Sequence, residues 1–323
     1  MEIGGYFSLE LNPQEHYLHE DGVFVNSGRH ALEYVLRTIH RIDCLYIPSY
    51  TCRVVKIPLE KLGIKYKRYE IDKDFHISEI VDLGEDDYIL YTNYFGIMDS
   101  YVLELSKMYG SKLLVDNAQA MYAKPIKGVR TVYSPRKFIG VADGGIAYSP
   151  TDLYYEITET DISVERTQYL LSRYDYSSAI GYAASKESNK TIEGTDLKWM
   201  SNLTKTIYKS ADFEMIKRKR RDNFNYLHEK LCNVNGFTIP SLDSFVCPMI
   251  YPFYTKDEGL IQKLIKDGIF IAVYWPYVIQ TCSQESVAVD LAKHIVALPI
   301  DQRYGSHEME YIVEHIQKHM EDV

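Results

Sequence analysis

VYSPRKFIGVADGG, residues 132–145, decides the fold when it is read beside KLLVDNAQA at 112–120. KLLVD (112–116) and TVYS (131–134) are short strand candidates, and both break at their carboxyl ends into polar and turn-forming residues. Asp116 closes the first, and Ser134, Pro135, Arg136 and Lys137 close the second. Working outward, CLYIPS (44–49), KYKRYEI (65–71), YILYTN (88–93) and GIAYS (145–149) are further strand candidates. Helical segments such as RVVKIPLEKLG (53–63) and SYVLELSKMYG (100–110) separate them. NSGRHALEYVLRTIH (26–40) places Ala31, Leu32, Val35, Leu36 and Ile39 on one helical face, with Asn26 or Ser27 suited to cap its start. Strands alternating with helices predict a parallel sheet whose ligand sits beyond the carboxyl ends of the strands.

After about residue 150 the pattern is less regular, and 152–205 reads as helix or loop rich in Tyr, Ser and Thr. ADFEMIKRKRRDNFNYLHEKL (211–231) predicts a long helix, on which KRKRR (217–221) reads as a solvated face. Strand candidates IYPFYT (250–255), IFIAVYWP (269–276) and IVALP (295–299) follow. In the helix SHEMEYIVEHIQKHM (306–320), Met309, Ile312, Val313, Ile316 and Met320 form an apolar stripe. The pattern predicts an α/β chain with a large domain over 1–210, built on a mostly parallel central sheet, and a smaller C-terminal α+β domain over 211–323.

With 323 residues, 46% of them hydrophobic, the chain is long enough for a large core. No apolar run approaches the roughly 20 residues of a membrane helix, and the first residues lack a signal-peptide pattern, so a cytoplasmic protein without membrane contact is expected. The five cysteines have no disulfide-framework or metal-ligand spacing, and no metal is expected. A net charge of −9 argues against nucleic-acid binding.

Lys137 and Asp116 carry the chemistry. An amine and a carboxylate that close strands of one sheet can face one crevice, as the two ends of a pyridoxal 5'-phosphate (PLP) site must. The lysine forms an imine with the aldehyde, and the aspartate keeps the pyridine nitrogen protonated. Alone, either residue is ordinary, because most lysines near loops are solvated and most strand-end aspartates cap turns. NSGRHAL adds a helix start where an anion is favoured and where Gly28 admits close approach, although such a cap is common by itself. Ser134 and Thr131 offer hydroxyls to the same phosphate, Gly144 and Gly145 permit a tight turn, and Gln119 can reach the ring's phenolic oxygen or serve as a capping amide.

In order, NSGRHAL, IPSYTC (47–52), LLVDNAQA, SPRKFIGVADGG and LPIDQRY resemble the DegT/StrS type of PLP-dependent sugar aminotransferase over nearly the whole chain. The resemblance implies the PLP-dependent transferase fold (fold type I). It implies Lys137 as the residue that binds PLP, Asp116 as the partner of the ring nitrogen, Gln119 against the ring, and Ser27, Gly28, Arg29 and His30 around the phosphate. Four departures stand out, one being that the segment between Asp116 and Lys137 is shorter than usual. Cys52 replaces an aromatic residue that usually stacks on the ring, which leaves Tyr50 or Tyr94 for that task. Val132 replaces a serine five residues before the lysine, so Ser134 is the candidate hydroxyl. The asparagine that crosses from a neighbouring subunit has its nearest counterpart in Asn202.

The resemblance further implies amino transfer, with glutamate as donor and a keto group of a nucleotide-linked sugar as acceptor. It places the reaction in surface polysaccharide or related amino-sugar synthesis, in a homodimer. Lys137 argues against related dehydratases, which carry histidine there. A nucleotide-binding oxidoreductase shares the alternating pattern, but no GxGxxG follows the first strand. A PLP-fold protein without turnover, acting as a binding or regulatory subunit, is the other reading.

Overall fold

The computed structural model describes residues 3–150 and 154–321. In chain order it contains β1 (Val23–Val25), α1 (Gly28–Arg37), β2 (Cys44–Pro48), α2 (Lys56–Lys61), β3 (Tyr66–Tyr69), β4 (Asp87–Thr92), α3 (Asp99–Tyr109) and β5 (Leu113–Asn117). Next come β6 (Arg130–Tyr133), β7 (Gly145–Tyr148), α4 (Gln168–Asp175), α5 (Ser178–Glu193), α6 (Asn202–Lys209), α7 (Phe213–Leu231) and β8 (Ile250–Tyr254). The chain ends with α8 (Leu260–Lys266), α9 (Pro276–Thr281), α10 (Val287–His294), β9 (Ile295–Pro299) and α11 (Ser306–Glu321).

Seven strands form one sheet in the order β1-β7-β6-β5-β4-β2-β3. From β3 to β6 all neighbours are parallel, and β7 runs against both β6 and β1. Only β7 is therefore reversed, and the α/β expectation of a mostly parallel sheet holds. Alternate residues divide between two apolar layers, as the two-residue period of a strand requires. Leu45, Ile47, Leu90, Leu114 and Val132 pack with Ala31, Leu32, Val35 and Leu36 of α1, whereas Ile89, Tyr91, Leu113, Val115 and Tyr133 face the opposite layer. That second layer continues without a break through Phe224 and Leu227 of α7 into Tyr251 and Phe253 of β8 and Val296 of β9.

β8 and β9 form a two-stranded antiparallel sheet. IFIAVYWP is not a strand: only Ala272 makes a bridge, to Ala297. Phe270 and Val273 are exposed there, and Pro276, which has no N–H for a ladder, begins α9 instead. The stripe of α11 is buried at Met309, Ile312, Val313 and Ile316, while Met320 lies at the exposed end. No helix among the described residues is long and apolar enough to cross a membrane.

The turn into α1 is fixed by contact with β7. Ser27 bridges Gly144, and the Gly144 N–H donates to Asn26 O at 2.9 Å. A Cβ placed on Gly145 would lie 2.0 Å from Ser27 O and 2.8 Å from Gly28 N. Both are backbone atoms that cannot swing aside. Gly145→Ala is accordingly expected to destabilise the protein by about 3 kcal/mol through overpacking, measured by chemical denaturation; unchanged stability would contradict this reading of the contact.

Candidate active site

β5 and β6 are adjacent and parallel, with Asp116 opposite Val132 and Asn117 opposite Tyr133. Their carboxyl ends therefore reach the same edge of the sheet. Asp116 stands at the end of β5, and Lys137 closes a short 3-10 turn, Pro135–Lys137, just after β6. The Lys137 side chain is exposed and has no ion pair or hydrogen bond among the described residues; its Nζ lies 6.0 Å from the centre of the Tyr274 ring. Burial pushes Asp116 up to about 6, against the opposing pull of the Ala118 N–H and the Lys137 charge. Asp116 Oδ1 accepts that N–H at 2.9 Å. The amine and the carboxyl feel each other's charge without pairing, as two groups must if a ligand is to be held by both.

At the start of α1 the predicted residues divide. Ser27 caps the helix: its Oγ accepts the His30 N–H at 3.2 Å and bonds His30 Nδ1 at 2.9 Å. His30 is buried, and its Nε2 lies 3.0 Å from Thr195 O. With Nε2 donating to that carbonyl, Nδ1 accepts from the Ser27 hydroxyl. Burial lowers the His30 pKa to about 4, so the ring is neutral. Both side chains hold the turn together, which corrects their assignment as phosphate ligands. Gly28 does approach Ser134: an added Cβ would lie 3.1 Å from Ser134 Cβ and 3.3 Å from its Oγ. Thr131, in contrast, is buried in the middle of β6 with its hydroxyl toward Val129 O, away from the sheet edge. Arg29 is half-buried with a buried, unpartnered Nη1.

The ring-stacking candidates also need correction. Tyr50 and Tyr94 are fully buried and stack with Phe75 in the core beneath the crevice. Their hydroxyls donate to Tyr274 O at 2.6 Å and Tyr50 O at 2.7 Å. Their rings pack within the core and their polar ends are satisfied there. Cys52 is half-buried where the charges of Lys137, Asp116 and Arg29 all reach it, and burial pushes its thiol pKa up. Tyr274, half-buried, is the aromatic residue facing Lys137. The sequence suggests VYWP (273–276) as a segment closing the cleft but does not single out Tyr274, whose placement depends on packing between segments far apart in the chain, including Trp275 against Tyr50 at 4.9 Å. The Gln119 oxygen accepts the Phe95 N–H at 2.9 Å, so this amide supports the turn at residues 94–96. Asn202 is exposed at the start of α6.

Arg220 was also missed. It is buried, its Nη1 donates to Met249 O at 2.9 Å, and its Nε donates to Gln302 Oε1 at 3.1 Å. Gln302 in turn donates to Phe138 O, next to Lys137, at 2.8 Å. The basic run is thus not wholly a solvated face. Arg220 shares the buried stripe of Ile216, Phe224, Leu227 and Leu231, and that helical spacing was the available signal. A cavity of about 700 Å³ lies elsewhere, lined by Ile265, Phe270, Arg303, Tyr311 and Ile312. It contains neither Lys137 nor Asp116. No cluster of metal-ligating side chains occurs among the described residues.

The fold is similar to that of several solved structures. DesV of S. venezuelae, solved in complex with a ketimine intermediate, is 18% identical, with a TM-score of 0.65 over 92% of this chain and 84% of that one. The fold is shared with aminotransferases. The sugar aminotransferase CalS13 of Micromonospora echinospora is 15% identical, with a TM-score of 0.62 over 92% and 87% of the two chains. NtdA of Bacillus subtilis, solved with bound cofactor PMP, is 14% identical, with a TM-score of 0.62 over 92% and 72%. No protein-family model matches this chain. No curated protein matches it either.

A carboxyl with raised proton affinity binds protons more tightly in the folded chain than in the unfolded one. Its favourable contribution is therefore complete below about pH 4 and is lost as the pH rises through about 6. In the cofactor-free protein at pH 8, Asp116→Asn is expected to raise stability by up to about 2 kcal/mol, allowing for residual solvent access. The same substitution should flatten the pH dependence between 4 and 7. Thermal unfolding across pH checks this, and a lower melting temperature for the variant at pH 8 would contradict it.

Proposed function

We propose that this protein is a PLP-dependent aminotransferase acting on a keto sugar. Its acceptor is a nucleotide-linked sugar and its amino donor is glutamate. The observation that carries the reading is the meeting of Lys137 and Asp116 at the ends of adjacent parallel strands. The residues present suit the cofactor: an exposed amine, an aspartate able to face a cationic nitrogen, and a cradle at Gly28 and Ser134 where a side chain would intrude. The shared fold supports the same assignment.

When bound, PLP supplies an aldehyde carbon that carries the amino group and a ring that takes up electrons. Lys137 Nζ, unpaired among the described residues, would be the nucleophile that holds that carbon and afterwards the base that moves a proton at the substrate. Asp116 would stand against the ring nitrogen of the bound cofactor and favour its protonated form. The opposite charge arriving there lowers the carboxyl's own pKa and so keeps both groups ionised. Tyr274 forms a wall beside Lys137 and limits the directions from which a substrate enters. Arg220 and Gln302, clasping the Phe138 carbonyl, hold the turn that presents Lys137. Subunit pairing and a role in surface polysaccharide synthesis belong to the same proposal.

Protein purified with PLP is expected to be yellow, and Lys137→Ala is expected to lose the visible band. Adding glutamate should bleach the wild-type band as the amino group passes to the cofactor, and a nucleotide-linked keto sugar should restore it. A colourless wild-type protein after PLP addition would overturn the assignment. Cys52 in place of a stacking aromatic favours a second reading, a PLP-binding subunit without turnover, and a yellow protein whose spectrum no amino acid alters would establish it.

A further inference from the structure

Beside Lys137, two arginines lack counter-charges. Arg29, the second residue of α1, makes no side-chain hydrogen bond or ion pair among the described residues, and its Nη1 is buried. Arg136, immediately before Lys137, has a buried and unpartnered Nε; its one side-chain bond is from Nη2 to the neutral Asn189 Oδ1 at 2.6 Å. The neighbouring carboxylate, Glu193, is already paired with Arg53 at 2.9 Å. Asn189 and Glu193 lie one turn apart on α5, so Arg136 and Arg53 are tied to the same side of that helix. Arg29 senses the charges of Glu193, Arg136, Arg53 and Cys52, which places it in the same cluster.

Burying guanidinium nitrogens without partners is costly, and a fixed pair of such groups is complementary to a doubly charged oxyanion. Both arginines belong to segments that meet where Gly28 packs against Ser134. The hydroxyl route to that anion is narrow here. Ser27 is committed to His30, Thr131 is buried in β6, and Val132 has no hydroxyl.

We propose that Arg29 and Arg136 form the phosphate site of this protein, holding a phosphate monoester dianion by charge where hydroxyl donors are scarce. The proposal rests on the PLP reading and adds what recognises the cofactor's phosphate. Ser134 supplies one further donor, and Arg53 with Glu193 fixes the edge of the site. The net charge of the two arginines matches a dianion better than a single carboxylate, and binding through them weakens as salt rises.

The test titrates wild-type protein, Arg29→Gln, Arg136→Gln and the corresponding Lys variants with PLP and, separately, with pyridoxal, which has the aldehyde and ring but no phosphate. Absorbance of the Lys137-dependent band is the readout. Each Gln variant is expected to lose about 10- to 100-fold in affinity for PLP while binding pyridoxal like the wild type, which also shows that the variant is folded. Lys variants should recover part of the loss, and inorganic phosphate should compete with PLP in the wild type but only weakly in the Gln variants. Unchanged PLP affinity in both Gln variants would overturn the arginine site and leave the PLP reading intact. Equal losses for PLP and pyridoxal would also overturn it, by showing a general structural defect. Failure of PLP to give a Lys137-dependent band in the wild type would overturn the PLP reading itself.

Discussion

The parallel pairing of β5 with β6 is the constraint on which the rest of this structure depends. Two strands running the same way must end at the same edge, so the first residues past their ladders share one solvent-facing crevice. The register sets Asp116 level with Val132, and the tight turn at Pro135–Lys137 then returns the amine to that edge. Were these strands antiparallel, one end would lie at the opposite side of the sheet. The proximity of amine and carboxyl is thus a property of topology before it is one of side-chain packing.

A second constraint acts through the backbone. Gly145 lies so close to Ser27 and Gly28 that β7, the one reversed strand, clamps the entry to α1. Asn26 reinforces the clamp: its side chain donates to Asp196 O at 2.9 Å and accepts from Lys198 N–H at 3.2 Å. The turn that would face an anion is thereby rigid before any ligand arrives. Such preorganisation reduces the entropy lost on binding. Asp116 shows the corresponding tension between proposed function and stability, because the depth that would ready it for a cationic ring nitrogen also penalises its charge when no cation is there.

Much of this architecture was legible in the sequence, because strand length, apolar alternation and helical spacing are local signals. The strands of the central sheet from β2 to β7 overlap the segments that pattern alone selects, β4 and β6 each starting one residue earlier, and the predicted face of α1 is buried. β1 escaped because three residues, Val23–Val25, are too few to show a period. IFIAVYWP misled because β-branched and aromatic composition does not reveal whether a neighbouring strand exists to pair with it. At the site, Lys137 and Asp116 were legible from position relative to strand ends. The uses of His30, Tyr50 and Tyr94 were not: whether a polar group faces a ligand or another part of the same chain depends on distant partners such as Thr195 and Tyr274. Arg136 stood beside Lys137 in plain view, but its lack of a counter-charge among the described residues is visible only in three dimensions.

The central claim is that one lysine, chosen by strand topology, carries the cofactor. Its most direct test is borohydride reduction of the PLP-treated protein followed by peptide mass mapping, which fixes the cofactor wherever it is bound to an amine. The account predicts a single phosphopyridoxyl group on Lys137. A modification spread over surface lysines, or concentrated at any residue outside the crevice at the ends of β5 and β6, would contradict it.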